Sequence, residues 1–400
     1  MTKLEQLIKE LCPNGVKYVA IKDYFTRLKG TPITAGKMKE IESPDGEIRI
    51  FAGGKTVINA HEKDIPNANI TRVPAVLVQS RGVIDFIYYE KPFTFKNEMW
   101  AYTAENKITV KYLYYFLQNN TQHFRDSASG MGSLPQISLH VTEDFKILVP
   151  PLEVQAEIVK ILDNFTELTA ELTAELTARK KQYEYYRDFL LDFDVHEGGT
   201  NECEWRTIKE IFDIRNGYTP SKSNVEYWEN GIIPWFRMDD IRENGRILSN
   251  SIQHIARKGV KKSGIFPANS LIMSTTATIG EHALIKTNFV CNQQITCFSL
   301  KQEYSSKINI KFVFYLFFNF GEWCRNNVNN GGGLPIINTA KLSTYKIPIP
   351  TIEKQKRIVS ILDRFDKLCN DISEGLPAEI EARRKQYEYY RDKLLSFKEQ

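Results

Sequence analysis

The octapeptide Lys-Gln-Tyr-Glu-Tyr-Tyr-Arg-Asp occurs twice, letter for letter, at 181–188 and 385–392. A repeat this long and this rich in tyrosine obliges the chain to build one local structure twice. The flanks agree at the same offset: Leu190-Leu191 with Leu394-Leu395, and Phe193 with Phe397. Upstream, at a slightly smaller offset, Leu134-Pro135 matches Leu334-Pro335 and Glu153-x-Gln155 matches Glu353-x-Gln355. Ile161-Leu162-Asp163 and Phe165 likewise match Ile361-Leu362-Asp363 and Phe365. A fainter pair opens each half: Tyr18-x-x-Ile21-Lys22-x-x-Phe25 against Trp205-x-x-Ile208-Lys209-x-x-Phe212, with Gly30 against Gly217. Between these landmarks the halves share little. The chain is therefore a tandem duplication of a divergent globular segment and a well-kept tail. Two units are too few for a solenoid, so a pseudo-twofold pair is expected.

The tails carry a helical period. Ile158, Ile161, Phe165, Leu168, Leu172, Leu176, Tyr183, Tyr186 and Leu190 recur at steps that keep one apolar seam. Pro150-Pro151 suits the helix start and Gly198-Gly199 lies beyond its end. About 40 helical residues make a rod of roughly 60 Å, a length that implies a coiled-coil spacer. In the second tail Gly375-Leu376-Pro377 falls mid-rod, where proline predicts a kink or break. The globular halves read as mixed α and β. Ala75–Ser80 and Ser270–Ser274 look like buried strands, and Lys111–Gln118 and Lys311–Phe318 like buried helices. Gly-rich turns follow at Ser129–Ser133 and Asn330–Gly333. The expected segments are globular 1–149, helical 150–195, globular 196–349 and helical 350–400.

Length and composition exclude several classes. Four hundred residues with 42% hydrophobic content suit two or three domains with sizeable cores. No apolar run approaches the roughly 18 residues of a membrane span, and the N-terminus lacks a signal-peptide core. The six cysteines contain no CxxC pair, which argues against a zinc ribbon or a disulfide scaffold. The chain reads as soluble and cytoplasmic. A net charge of +4 neither marks nor excludes a nucleic-acid binder.

Catalytic motifs are sparse. Gly53-Gly-Lys-Thr56 lacks the first glycine of a phosphate loop, because Arg49 stands there. The only Pro-Pro, in Val149–Leu152, starts a helix rather than a base-methylating motif. Asp45 with Glu105 and Lys107 has no nuclease spacing, and no histidine pairs at metal-ligand spacing. No catalytic or metal-binding residue is expected; His61 and His254 read as surface. Basic and amide residues near expected turns do suit base edges. They are Arg27, Lys29, Gln79, Arg81, Lys96 and Asn97 in the first half, and Asn216, Tyr218, Arg237, Arg242, Arg246, Asn292 and Gln293 in the second. The bland alternative for each is plain surface, since phosphate contacts outnumber base contacts. The tail tyrosines at helical spacing read first as packing. Leu172, Leu176, Tyr186 and Tyr390 fall to the coiled coil, and Tyr185 and Tyr389 to a partner protein.

These landmarks closely resemble the specificity subunit of type I restriction–modification systems. The resemblance rests on the duplicated helix starts with Glu-x-Gln and Ile-Leu-Asp, and on Arg-Lys-Lys-Gln-Tyr-Glu-Tyr-Tyr-Arg-Asp or its counterpart in each tail. In the second half Gly217-Tyr-Thr-Pro220, Ile233-Pro-Trp235, Ala277-Thr-Ile-Gly280 and Cys291-Asn-Gln293 are similar to its target-recognition pattern. The first half lacks Ile-Pro-Trp. Tandem Thr-Ala-Glu-Leu units at 169–172 and 173–176 resemble the type IC branch. The resemblance implies an α+β fold of two target-recognition domains held apart by two antiparallel helices. Each domain would read half of a bipartite site in double-stranded DNA. It also implies two methyltransferase subunits carrying S-adenosylmethionine and two motor/nuclease subunits using ATP and Mg²⁺, with no cofactor in this chain. Beside it stand three other readings: a coiled-coil scaffold without specific DNA binding, an unrecognised nuclease, and a single-strand binder.

Overall fold

A computed structural model describes residues 2–54, 56–130, 134–193, 203–262, 264–328, 334–370 and 374–397. Lys55, Gly198-Gly199 and the centres of both Gly-rich turns lie outside the described residues. The chain divides into two compact units: Met1–Ala174 with Ala378–Gln400, and Glu175–Pro377.

The repeats dictate equivalent frameworks. In each half an opening strand pairs antiparallel with the strand that precedes the tail, Tyr18 opposite Leu148 and Trp205 opposite Pro348. A short helix follows, burying Ile21 or Ile208 completely, and then Phe25 or Phe212 enters the core. This explains the faint opening motif: its apolar residues close the end of each globular half.

The first unit's main sheet has the order Thr26–Lys29, Trp100–Thr103, Ala75–Gln79, Asp85–Tyr89, antiparallel throughout. The second unit's runs Phe212–Asn216, Ile295–Leu300, Ser270–Ser274, His282–Ile285, and adds Ile247–Leu248 as a parallel edge. Ala75–Gln79 and Ser270–Ser274 are central and buried at every residue, as their apolar runs predict. Each main sheet is covered by one helix, Lys107–Asn119 or Ile310–Asn326. Asn106 and Asn309 start these helices by accepting the Ile108 and Lys311 N–H groups. A three-stranded sheet completes each half, built around Ile48–Phe51 in the first and Ile233–Phe236 in the second.

The first tail is a single helix, Leu152–Leu191, of 40 residues. The second is two helices, Ile352–Asn370 and Leu376–Leu394. The break falls where Gly375 and Pro377 predict it. Pro377 occupies the first turn of the following helix, where a missing N–H breaks no intrahelical bond.

Candidate nucleic-acid interface and assembly helices

The kept tail residues make the same contacts in both units. Asp163 accepts the Lys111 ammonium at 2.8 Å and the Tyr115 hydroxyl at 2.5 Å. Asp363 accepts Lys311 at 2.8 Å and Tyr315 at 2.6 Å. Burial, and next the bond to the carboxylate, push both phenols well above the usual tyrosine value, so they stay donors. Leu162 and Leu362 are fully buried. Gln155 and Gln355 donate to the carbonyls of Pro150 and Pro350, closing each helix start. Sequence inspection missed the Lys-x-x-x-Tyr partners; their recurrence at the same offset as the aspartates was the available signal.

The repeated tyrosines also pack equivalently. In the first unit Tyr390 stacks on Phe165 at 5.6 Å and 24°. In the second, Tyr186 stacks on Phe365 at 5.6 Å and 25°. Lys354 lies over Phe193 while Phe365 meets Tyr186, so the two helix segments of the second unit run antiparallel. Tyr185 and Tyr389 point away from these seams, 65% and 63% exposed. Leu172 and Leu176 are half-buried.

The candidate readers divide by placement. Arg81, Asn97 and Lys29 are exposed. Arg27 pairs with Glu143 and Lys96 with Glu98. Gln79 is buried and donates to the Gly54 carbonyl. In the second unit Gln293 and Asn216 are exposed; Gln293 accepts the Thr219 hydroxyl and Asn216 accepts that of Thr296 at 2.8 Å. Arg242 is exposed, 3.9 Å from Glu281. Arg237 lies over the Trp235 ring and 3.5 Å from Asp239. Tyr218 is buried and its hydroxyl accepts the Lys261 N–H at 2.8 Å. Asn292 is buried in a turn that caps the Gln294 N–H.

Arg246 lines a cleft of about 740 Å³ within the second unit, with Tyr183, Arg187, Lys311, Phe318 and Asp366. Arg187 and Arg246 both lie over the Phe318 ring, at 4.5 and 5.2 Å. Burial lowers the Arg246 pKa and raises that of Asp366. His61 pairs with Glu47, and His254 meets Asn250. Among the described residues no group of three His, Cys, Asp or Glu side chains is placed to hold a metal, and no helix is long and apolar enough to cross a membrane.

Two divergent surfaces on duplicated helical mounts are the architecture of a specificity subunit. The family model of the type I restriction modification DNA specificity domain matches residues 13–179 and again 201–382, and the chain belongs to that family. It is the non-catalytic component that recognises the target site within the restriction–modification complex.

Among relatives, the EcoR124I/EcoR124II specificity subunit of Escherichia coli is 38% identical over 410 residues, covering 99% of this chain and 92% of its own. The EcoprrI specificity subunit of the same organism is 48% identical over 205 residues, which is 50% of this chain and 51% of that one. The crystal structure of the type I restriction-modification S subunit from M. genitalium shares the fold. Its TM-score is 0.60 over 96% of this chain and 97% of that one, at 15% identity.

Proposed function

We propose that each globular half reads one half of a bipartite, asymmetric site in double-stranded DNA, and that the two tails hold the readers in register. The segments are 1–149 and 196–349 for reading, 150–195 and 350–400 for holding. The observation that carries this is the contrast within the molecule. Asp163 and Asp363, and the Tyr390–Phe165 and Tyr186–Phe365 stacks, repeat to within a tenth of an ångström or so. The surfaces they support differ in strands and side chains. Identical mounts for different surfaces suit identical partners and different DNA sequences. The exposed Tyr185 and Tyr389 are then one epitope shown twice, to two copies of a methyltransferase subunit. Those subunits carry S-adenosylmethionine, and two motor/nuclease subunits supply ATP- and Mg²⁺-dependent chemistry. The work is cytoplasmic, where the DNA is.

Exchange of residues from about 15 to about 148 for the equivalent segment of a related subunit tests this. The exchanged complex is used to methylate a randomised duplex library. One half-site is expected to change and the other to persist; a change in both contradicts one reader per half.

A further inference from the structure

The two halves share one exposed feature that neither the mounts nor the readers explain. Leu134-Pro135 and Leu334-Pro335 recur, although the loops around them differ. Each dipeptide is strapped by backbone hydrogen bonds to the turn after the central strand. The Pro135 carbonyl accepts the Gly82 N–H at 2.8 Å, and the Ile137 N–H donates to Ser80 at 2.9 Å. In the second unit Pro335 accepts Ala277 at 3.4 Å, and Ile337 donates to Thr275 at 3.1 Å. Ile137 and Ile337 are buried anchors, while Leu134 and Leu334 are 54% and 72% exposed.

The turn is made the same way in both units. Gly82 has φ of 79° and Ala277 has φ of 61°. An alanine in the left-handed region is strained, so the second unit keeps the strap's geometry against local preference.

A cation stands at the same turn in both halves. The Arg125 Nε donates to the Ile84 carbonyl at 3.3 Å. Arg325, at the same offset as the tail landmarks, crosses Gly280, where a side chain would meet its Nη1 at 2.7 Å. Both arginines are exposed, and neither pairs with a carboxylate among the described residues. An exposed leucine contributes little to folding, so its recurrence in two diverged halves calls for a shared contact. Val83 beside the first leucine and Ile336 beside the second are exposed as well, so each tip is a small apolar knob next to an unneutralised arginine. That pairing of apolar knob and free positive charge suits duplex DNA, where apolar wedges enter the minor groove and arginines meet phosphate.

We infer that Leu134 with Arg125, and Leu334 with Arg325, are a matched pair of sequence-independent DNA contacts, one per half: the leucine wedges into the minor groove and the arginine engages the backbone. The inference rests on the reading of both halves as DNA binders. It adds contacts that supply affinity without choosing bases.

The test uses the full chain assembled with its methyltransferase subunits. The unaltered complex must first select a bipartite duplex site; failure there overturns the functional reading itself. Leu134→Ala and Leu334→Ala are then titrated on the selected duplex and on a scrambled one. Affinity for both is expected to fall by about tenfold per leucine, the burial of one such side chain. The selected site and the assembly are expected to persist, and Leu→Met to restore most of the loss. Arg125→Ala and Arg325→Ala are each expected to reduce the slope of log affinity against log salt by about one. Unchanged affinity overturns the inference, as does an altered half-site. Loss of assembly with DNA binding intact assigns the leucines to the protein partner and overturns it equally.

Discussion

Single side chains carry unequal loads in the two halves even where the letters agree. Gln155 donates to Pro150, but its carbonyl oxygen is buried without a partner. Gln355 donates to Pro350 and Lys307 and also accepts the Asn309 N–H at 2.8 Å. Gln355→Ala should therefore destabilise its unit more than Gln155→Ala does, by about 1 kcal/mol or more. Urea unfolding of the two variants gives the comparison, and equal losses would contradict it. His282 makes a second residue-level prediction. Complete burial, with Arg246 nearby, pushes it down to about 3, against about 6.5 in an unfolded chain. The unfolded state thus takes up a proton that the folded state refuses. The stability this residue contributes is held above pH about 6.5 and is lost as pH falls towards 3. Between about pH 7.5 and pH 5 the urea midpoint of the second unit should drop less in His282→Asn than in the unaltered chain. Parallel drops would exclude His282 as the source.

Among elements, the first tail helix is the one whose length tests the proposed holding of two readers in register. Its Thr-Ala-Glu-Leu units are uninterrupted helix, with the Thr169 and Thr173 hydroxyls bonded to carbonyls four residues back. Four residues turn a helix by about 400°, an overshoot of about 40°, and lengthen it by about 6 Å. That rotation matches about one base pair of twist. A further Thr-Ala-Glu-Leu after Leu176 is expected to lengthen the unread spacer by about one base pair and leave both half-sites intact. Sequencing of a methylated library reads this; an unchanged spacer removes the helix as the ruler. The second tail holds its landmarks Phe365 and Arg383 four residues further apart than Phe165 and Arg179, and the break before Leu376 lies within that interval. Both tail helices and the break were legible because a sustained period and a proline are local signals. The edges of the sheets were not. Ile247–Leu248 and Val290–Cys291 are two residues each, too short to show any alternation. The candidate readers were legible only as residue types. Gln79 is turned inward by Gly54, and Tyr218 by Gly259 and Lys261, through contacts 25 to 43 residues away in sequence that no nearby pattern announces.

At the scale of the whole molecule, the second unit is one contiguous stretch, Glu175–Pro377, whereas the first is assembled from two stretches at opposite ends of the sequence. The first unit's apolar core includes Leu395, with Tyr387, Leu394 and Phe397 packed against it, all from the far end of the sequence. Truncation after Pro377 should therefore lower the unfolding midpoint of the first unit and leave that of the second near its original value. Pulse proteolysis with fragments assigned to each unit distinguishes them, and equal sensitivity would contradict the division. The same division sets an order of events at the ribosome. The first unit is synthesised early, yet Glu175–Pro377 must be translated before Ala378 and its successors emerge. At about 5–20 residues per second that interval is about ten to forty seconds. Throughout it, Phe165 waits without Tyr390. The half of the protein that is made first is thus the half that matures second, and a message broken late in translation leaves its damage in the product of its beginning.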